Sequence, residues 1–257
     1  MSKKGERPAS RSPTRERDRR RADFAATVSH DLKTPLNAIV GFLSVLMQDT
    51  PLMRPEWVEY LGQIDRGARQ LLSRINDLLE LYRLEAGKIP LKPVWLNPGE
   101  ILSQAAEAAQ EALERNRNQL LLEAPRVRLF CEPRLMLRVA RELLVNAAQA
   151  TRDGVVRATL SCQDRGGGNT RRVSLSVEDS GNSLTSERLD ILTRTLATDP
   201  ASEEARWDGI GLGLALARQA ANLLGGRLAI EARPDGGTRA ILAFDLPGKQ
   251  VEDEPAA

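Results

Sequence analysis

One histidine occurs in 257 residues: His30, in the stretch Val28-Ser29-His30-Asp31-Leu32-Lys33-Thr34-Pro35-Leu36. A lone imidazole is more often a surface or core residue than a reactive one, but its neighbours change that reading. His30 and Thr34 are four residues apart and share one face of a helix. Asp31 is adjacent and can orient the ring or accept its proton, as a carboxylate does for a histidine nucleophile. Pro35 has no N–H for the carbonyl of Asp31, and its ring crowds that turn, so a bend is expected just beyond the histidine. The stretch reads as an exposed nucleophile, a proton acceptor, a polar neighbour and a hinge.

A second group of residues suits a phosphorylated nucleotide. Glu142 and Asn146, in "RELLVNAAQAT", lie four apart on one helical face, where a carboxylate and an amide oxygen can coordinate Mg²⁺ and a water. Asp179 ends a strand in "VEDSGNS" and can accept a hydrogen bond from an exocyclic amine such as that of adenine. Gly209, Gly211 and Gly213 precede a helix in "DGIGLGLALARQ", where free backbone N–H groups and the helix dipole favour phosphate. No Gly-Lys-Ser/Thr follows, so this is no Walker loop. The glycines come late and outside a βαβ series, which argues against a dinucleotide fold.

The elements that must hold these groups follow from periodicity. Apolar residues at Phe24, Val28, Leu32, Leu36, Ile39, Leu43 and Leu46 draw one stripe along a first helix. A stricter heptad seam runs through Trp57, Leu61, Ile64, Ala68, Leu71, Ile75, Leu78 and Tyr82. Pro51 and Pro55 bracket the turn between the helices, and Gly87 is a natural terminator. Two helices with such narrow seams cannot bury themselves as a hairpin, whereas two hairpins can form a four-helix bundle, so a homodimer is expected.

Beyond "KIPLKPVWL" the pattern changes to short strands and helices. Asn97 reads as an N-cap before a helix that runs to about Asn116. "QLLLEA" and "RVRLFCE" read as strands, and Pro133 to about Ala150 as a helix. "VVRATLSC" and "RRVSLSVED" are two strands joined at Gly166-Gly167-Gly168. A helix from Gly211 to Leu224 precedes a hairpin, "GRLAIEAR" and "TRAILAFDL", turned at Asp235-Gly236-Gly237. This order predicts an α+β sandwich, with a mixed or antiparallel sheet covered by helices on one face. The expected division is a basic disordered tail at 1–22, a helical hairpin at 23–92, a nucleotide-binding domain at 96–248 and a C-terminal tail at 249–257.

Composition narrows the function classes. Hydrophobic residues at 41% and charged residues at 28% are ordinary for a globular chain, and a net charge of +2 gives no field for nucleic acid. The first 22 residues hold nine Lys or Arg against three Asp or Glu, without apolar periodicity, and read as a solvated tail. No apolar run approaches a membrane span, and no signal peptide is recognisable, so the chain reads as cytoplasmic. Cys131 and Cys162 stand apart without metal spacing, which fits a reducing compartment.

"SHDLKTPLNAI" resembles the H-box of the sensor histidine kinases of two-component systems. The later motifs, in order, resemble the N, G1, G2 and G3 boxes of the GHKL ATP-binding fold, which those kinases share with gyrase and mismatch-repair ATPases. The resemblance implies that His30 is the phospho-acceptor, that Asp31 helps take its proton, and that Thr34 positions a water for dephosphorylating the partner. It implies that Asn146 binds Mg²⁺, Asp179 binds the adenine amino group, and Gly181 lies beneath the base. Gly209, Gly211, Gly213 and Leu214 would line the phosphates, and Thr238 would sit near the adenine. Residues 187–208 would form a mobile lid, with Arg194 and Arg206 as candidate phosphate contacts. The cofactors are then ATP and Mg²⁺, and the partner is the receiver domain of a response regulator. An upstream sensor protein or a longer chain would supply the signal. The implied fold is a dimeric helical hairpin forming a four-helix bundle, followed by a GHKL-type α/β sandwich.

The match departs from the family in places. Glu142 stands where most such kinases carry Asn; it could activate water or the imidazole, or hold magnesium only through its shell. Gln149 replaces a Lys, Ser183 replaces the second Gly of the G1 box, and no phenylalanine-rich F-box lies between Ser186 and Asp208. The expected activity is an ATP-dependent protein-histidine kinase that phosphorylates His30 and passes the phosphoryl group to an aspartate of the regulator. The alternatives are a degenerate kinase that docks the regulator as a scaffold, or a GHKL ATPase using Glu142. Intact His30, Asp31, Asn146 and Asp179 oppose the first, and the H-box opposes the second.

Overall fold

The structure is a computed structural model that describes residues 32–46, 54–86, 89–165, 169–181, 185–197 and 211–253. The chain divides into two compact units, Met1–Ile89 and Pro90–Ala257.

The first unit carries helix α1 (32–46) and helix α2 (Pro55–Glu85). Pro55 opens α2 at a position where its missing N–H costs nothing. Glu56 in the first turn and Arg83 in the last complement the helix dipole. The two heptad rows of α2 differ in exposure. Trp57, Ile64, Leu71 and Leu78 are exposed, whereas Ala68 is buried and Leu61, Ile75 and Tyr82 are partly covered. On α1 the same split leaves Leu32, Ile39 and Leu46 exposed and Leu43 buried.

The second unit is a sandwich of helices on strands. In chain order it runs β1 (Val94–Leu96), α3 (Pro98–Arg115), β2 (Gln119–Glu123), β3 (Val127–Cys131), α4 (Pro133–Ala150), β4 (Val155–Asp164) and β5 (Thr170–Asp179). Then follow α5 (Ser186–Ala197), α6 (Leu212–Leu223), β6 (Arg227–Ala232), β7 (Thr238–Pro247), a 3₁₀ turn at Gly248–Gln250 and β8 (Val251–Asp253). Five strands form a mixed sheet in the order β2-β4-β5-β7-β6, with β2 parallel to β4 and the other pairs antiparallel. Alternate residues face inward: Val156, Ala158 and Leu160 on β4, Val173, Leu175 and Val177 on β5, Leu242 and Phe244 on β7. Helices α4 and α6 pack on this sheet, and α3 packs beside α4.

Capping explains where the helices begin and end. Asn97 accepts from the Gly99 N–H at 2.8 Å at the start of α3. Glu132 caps α4 at Arg134 N and also accepts from the backbone N–H of Lys92. At the other end of α4, the amides of Asn116 and Asn118 donate to the Ala148 carbonyl, and Asn118 donates to Thr151 O as well. The last turn of α4 is thereby fixed, and it borders the site.

Three features of the second unit differ from the sequence expectation, the first being that Ser186–Ala197, within the stretch expected as a lid, forms helix α5. The described strands form two sheets: β1, β3 and β8 form a separate antiparallel one, on which Trp95 and Phe130 pair across strands at 5.4 Å. The expected tail at 249–257 begins inside the fold, because Val251–Asp253 is paired with Val127–Leu129 of β3. A three-residue strand is too short to show an alternating pattern, and its edge is held by backbone pairing and one ion pair, which leave no mark in composition.

Candidate functional site

A cavity of about 260 Å³ opens beside α4 and the ends of β5 and β7. Leu143, Asn146, Ala147 and Ala150 of α4 form one wall; Val177, Asp179, Thr238, Ala240 and Ile230 form another; Leu192 and Leu214 complete it. The lining is mostly apolar with a few polar groups, the usual composition of a site for a flat organic ring.

Asp179 is the buried polar group, 4% exposed. The cause lies in the strand: it continues the inward row of Val173, Leu175 and Val177, so the two-residue period carries a carboxylate onto the core face. Burial pushes its carboxyl above the ordinary aspartate value. The Gly181 N–H, 2.9 Å from Oδ1, the Thr238 N–H and the nearby positive charge of Arg233 act the other way. An ionised acceptor held this way can take a hydrogen bond from a ring amine.

Two expected glycines sit at close approaches, Gly181 against fixed backbone and Gly213 against the movable end of a side chain. A Cβ on Gly181 would come 2.4 Å from the Ala150 carbonyl oxygen, at the fixed last turn of α4. A Cβ on Gly213 would come 2.2 Å from Oε2 of Glu142. Gly211, the N-cap of α6, has φ +75° with open space around it, so there the backbone conformation is what calls for glycine.

The site brings Asn146, Asp179, Leu214 and Thr238 together around one cavity, with Gly181 directly behind Asp179. Glu142 does not line this cavity; it lies beside Gly213 at the start of α6. Its carboxylate sits 3.5 Å from Arg138 and 3.4 Å from Arg141, against the start of α6, while Asn146 one turn on faces the cavity. Thr34 is exposed on α1, and Gln149 is exposed on α4. His30, Asp31, Ser183, Arg206 and Gly209 lie outside the described residues, as does the side chain of Arg194 on α5. Among the described residues no group of three or more His, Cys, Asp or Glu could hold a metal ion. One amide oxygen in the cavity wall nevertheless suits Mg²⁺, which keeps most of its shell as water and phosphate oxygen.

The apolar walls were not singled out from the sequence. Leu143, Ala147 and Ala150 follow helical spacing, and Val177 and Ala240 follow strand alternation, so each reads as core. Arg233 was also missed: its guanidinium donates to the main-chain oxygen of Asp179 at 2.9 Å, from a turn that carries no motif of its own.

Comparison with known proteins agrees with both units. The family model described as His Kinase A (phospho-acceptor) domain matches residues 20–87. The model for histidine kinase-, DNA gyrase B- and HSP90-like ATPases matches residues 131–248. The chain is 27% identical over 242 residues to the sensor protein GacS of Pseudomonas syringae pv. syringae, covering 93% of this chain and 26% of GacS. It is 31% identical over 242 residues to the phosphate regulon sensor protein PhoR of Pseudomonas aeruginosa, covering 92% of this chain and 52% of PhoR. It thus spans between a quarter and about half the length of these curated relatives. The crystal structure of full-length ShkA in complex with AMPPNP matches 91% of this chain and 47% of its own, with TM-score 0.68 at 23% identity, and shares the fold. Among the described residues no helix is long and apolar enough to cross a membrane. With a phospho-acceptor helical hairpin followed by an α/β sandwich ATPase domain, the chain belongs to the sensor histidine kinases.

Proposed function

We propose that this chain is an ATP-dependent protein-histidine kinase that phosphorylates its own His30 and passes the phosphoryl group to an aspartate of a response-regulator receiver domain. One observation supports the reading most: the chain's sole histidine falls within the phospho-acceptor match, and the same chain builds a cavity ending on a buried carboxylate within the ATPase match.

Asp179 accepts from the adenine amino group, and Thr238 and Leu214 border the base. Gly181 lets the strand end lie against α4. The backbone N–H groups at the start of α6, with Gly209, Gly211 and Gly213, face the phosphates. Asn146 would hold Mg²⁺, which supplies charge neutralisation on the phosphates. The neutral imidazole of His30 attacks the γ-phosphorus in line, and Asp31 receives the ring proton. The bond from γ-phosphorus to the bridging oxygen breaks, and ADP leaves. Little of this is covalent work by the protein; positioning and charge stabilisation carry it. The phosphohistidine then gives its phosphoryl group to the regulator's carboxylate. In the reverse function Thr34 orients the water that hydrolyses the regulator's acyl phosphate. Residues 187–208 would act as the lid, with Arg194 and Arg206 as its candidate phosphate contacts. The phospho-acceptor domain implies a dimer, and the proposed use of ATP and of a receiver domain supports a cytoplasmic reaction downstream of a sensor.

The test is retention of label from γ-labelled MgATP by the wild type and by His30→Ala. Acid-labile, base-stable label that disappears in the variant is expected. Nucleotide binding without label would overturn autonomous kinase activity in favour of a docking protein. Steady phosphate release untouched by His30→Ala would point to an ATPase.

A further inference from the structure

The turn between β6 and β7 lies directly on Asp179. A Cβ on Gly237, at φ +83°, would come 2.0 Å from the Asp179 main-chain oxygen and 3.1 Å from its Oδ1. Arg233, the residue after β6, donates its backbone N–H to Gly237 O at 3.1 Å and accepts at its own carbonyl from Gly236 N at 3.2 Å. The turn is therefore closed on itself, and the Arg233 side chain leaves it toward β5. There Nη1 donates to the main-chain oxygen of Asp179 at 2.9 Å, and Nε lies 3.8 Å from Glu178 Oε2. Glu178 already takes Arg239 at 2.7 Å, so the bond to the carbonyl is the better made of Arg233's two contacts.

We propose that Arg233 is a positioning residue for base selection: by gripping the Asp179 carbonyl it fixes the angle at which the Asp179 carboxylate meets the purine, and so sets the preference for a 6-amino over a 6-oxo ring. The inference rests on the nucleotide reading above. The reasoning is geometric. Asp179 is the last residue of β5, and beyond it the strand is held to β4 through Ser180 alone, whose N–H donates to Val155 O at 3.1 Å and whose Oγ accepts from Val155 N at 2.8 Å. Its carboxylate is tied to the N–H groups of Gly181 and Thr238, and its carbonyl to Arg233, so three directions define its pose. Remove the third and the peptide, then anchored only through the Ser180 N–H to Val155 O, can tilt about that bond, which carries the carboxylate off the ring amine. A guanidinium can reach the carbonyl and Glu178 at once because its donors form a planar fork; an ammonium cannot do both in one plane. A 6-amino group donates to a carboxylate, whereas a 6-oxo group repels it, so the effect falls on discrimination and not on phosphate binding.

The experiment is displacement of a fluorescent ATP analogue by MgATP and by MgGTP, on wild type, Arg233→Met and Arg233→Lys in the full chain. Wild type is expected to prefer MgATP. Arg233→Met should weaken MgATP about tenfold, a loss typical of one charge-assisted hydrogen bond, and leave MgGTP within about twofold. Arg233→Lys should fall between. Equal weakening of both nucleotides, or no change in either, overturns the proposal. If Arg233→Met loses the circular dichroism of the wild type, the ratio in Arg233→Lys decides on the same criterion. Wild type that binds neither nucleotide would overturn the nucleotide reading itself, and the inference with it.

Discussion

Asp179, in the nucleotide role proposed for it, works against stability and for function. Its carboxyl is buried at a strand end, and that burial favours the neutral form. In the unfolded chain the same group titrates at the ordinary aspartate value. A folded value above the unfolded one means that the native state binds the proton more readily, so the folded state is penalised at neutral pH and relieved as pH falls. The proposed nucleotide recognition would run the other way, because only the ionised carboxylate offers its full acceptor strength to a ring amine. Lowering the pH through the raised value should therefore shift the thermal midpoint of wild type upward relative to Asp179→Asn, while weakening MgATP binding to wild type. Paired melting curves and titrations across the mildly acid range check both signs; a midpoint difference that is flat with pH would remove burial as the cause. Much of this was legible in the sequence, since "VED" followed by "SGN" marks a carboxylate at a strand end before a glycine turn. Its support was not. Arg233 reaches Asp179 across 54 positions in the chain, and nothing local announces such a contact.

Elements differ in how clearly they wrote themselves into the sequence. The long periodic helices α3, α4 and α6 appear where apolar spacing and caps put them, to within about a residue, because many positions vote for each. Strand β8 has three residues and no such redundancy. It is joined to β3 by backbone pairing and to the large sheet by Arg171, whose guanidinium meets Asp253 at 2.6 and 3.0 Å and Asp164 at 2.8 Å. One side chain thus ties the end of the fold to the start of β5. Arg171 holds the Asp253 carboxyl below the ordinary value, so this contribution is present above the unfolded aspartate value and is lost as pH falls through the folded one. The pair is exposed, so screening by about 1 M salt should weaken it as well. Asp253→Asn should raise amide exchange across Val251–Asp253 and the facing Val127–Leu129, and leave the five-stranded sheet protected. Exchange mapped by mass spectrometry checks this; unchanged protection in β8 would assign its stability to backbone pairing alone.

At the scale of the whole molecule, the hairpin is incomplete by itself. A heptad seam has two rows, and in one copy of this chain each helix shows one row to solvent. Leu32, Ile39 and Leu46 are 44–48% exposed, and Trp57, Ile64, Leu71 and Leu78 are 43–55% exposed. Apolar side chains repeating every seven residues on both helices of a hairpin are what a second hairpin covers. Completing the burial of seven half-covered large side chains per copy is worth on the order of 10 kcal/mol per pair of copies at the usual area coefficient, enough to meet the entropic cost of association. Replacing Leu71 and Leu78 by Lys places two like charges per copy in that seam, where they meet their counterparts in the partner. Sedimentation should then change from dimer to monomer at about micromolar concentration, a range set by losing several kcal/mol of the association energy. Residues 90–257 form a unit of their own, so MgATP binding should persist in the same variant. A variant that still sediments as the wild type would exclude this row as the interface. Loss of nucleotide binding together with the dimer would show that the ATP site depends on the bundle, and the two units would have to be read as one cooperative body.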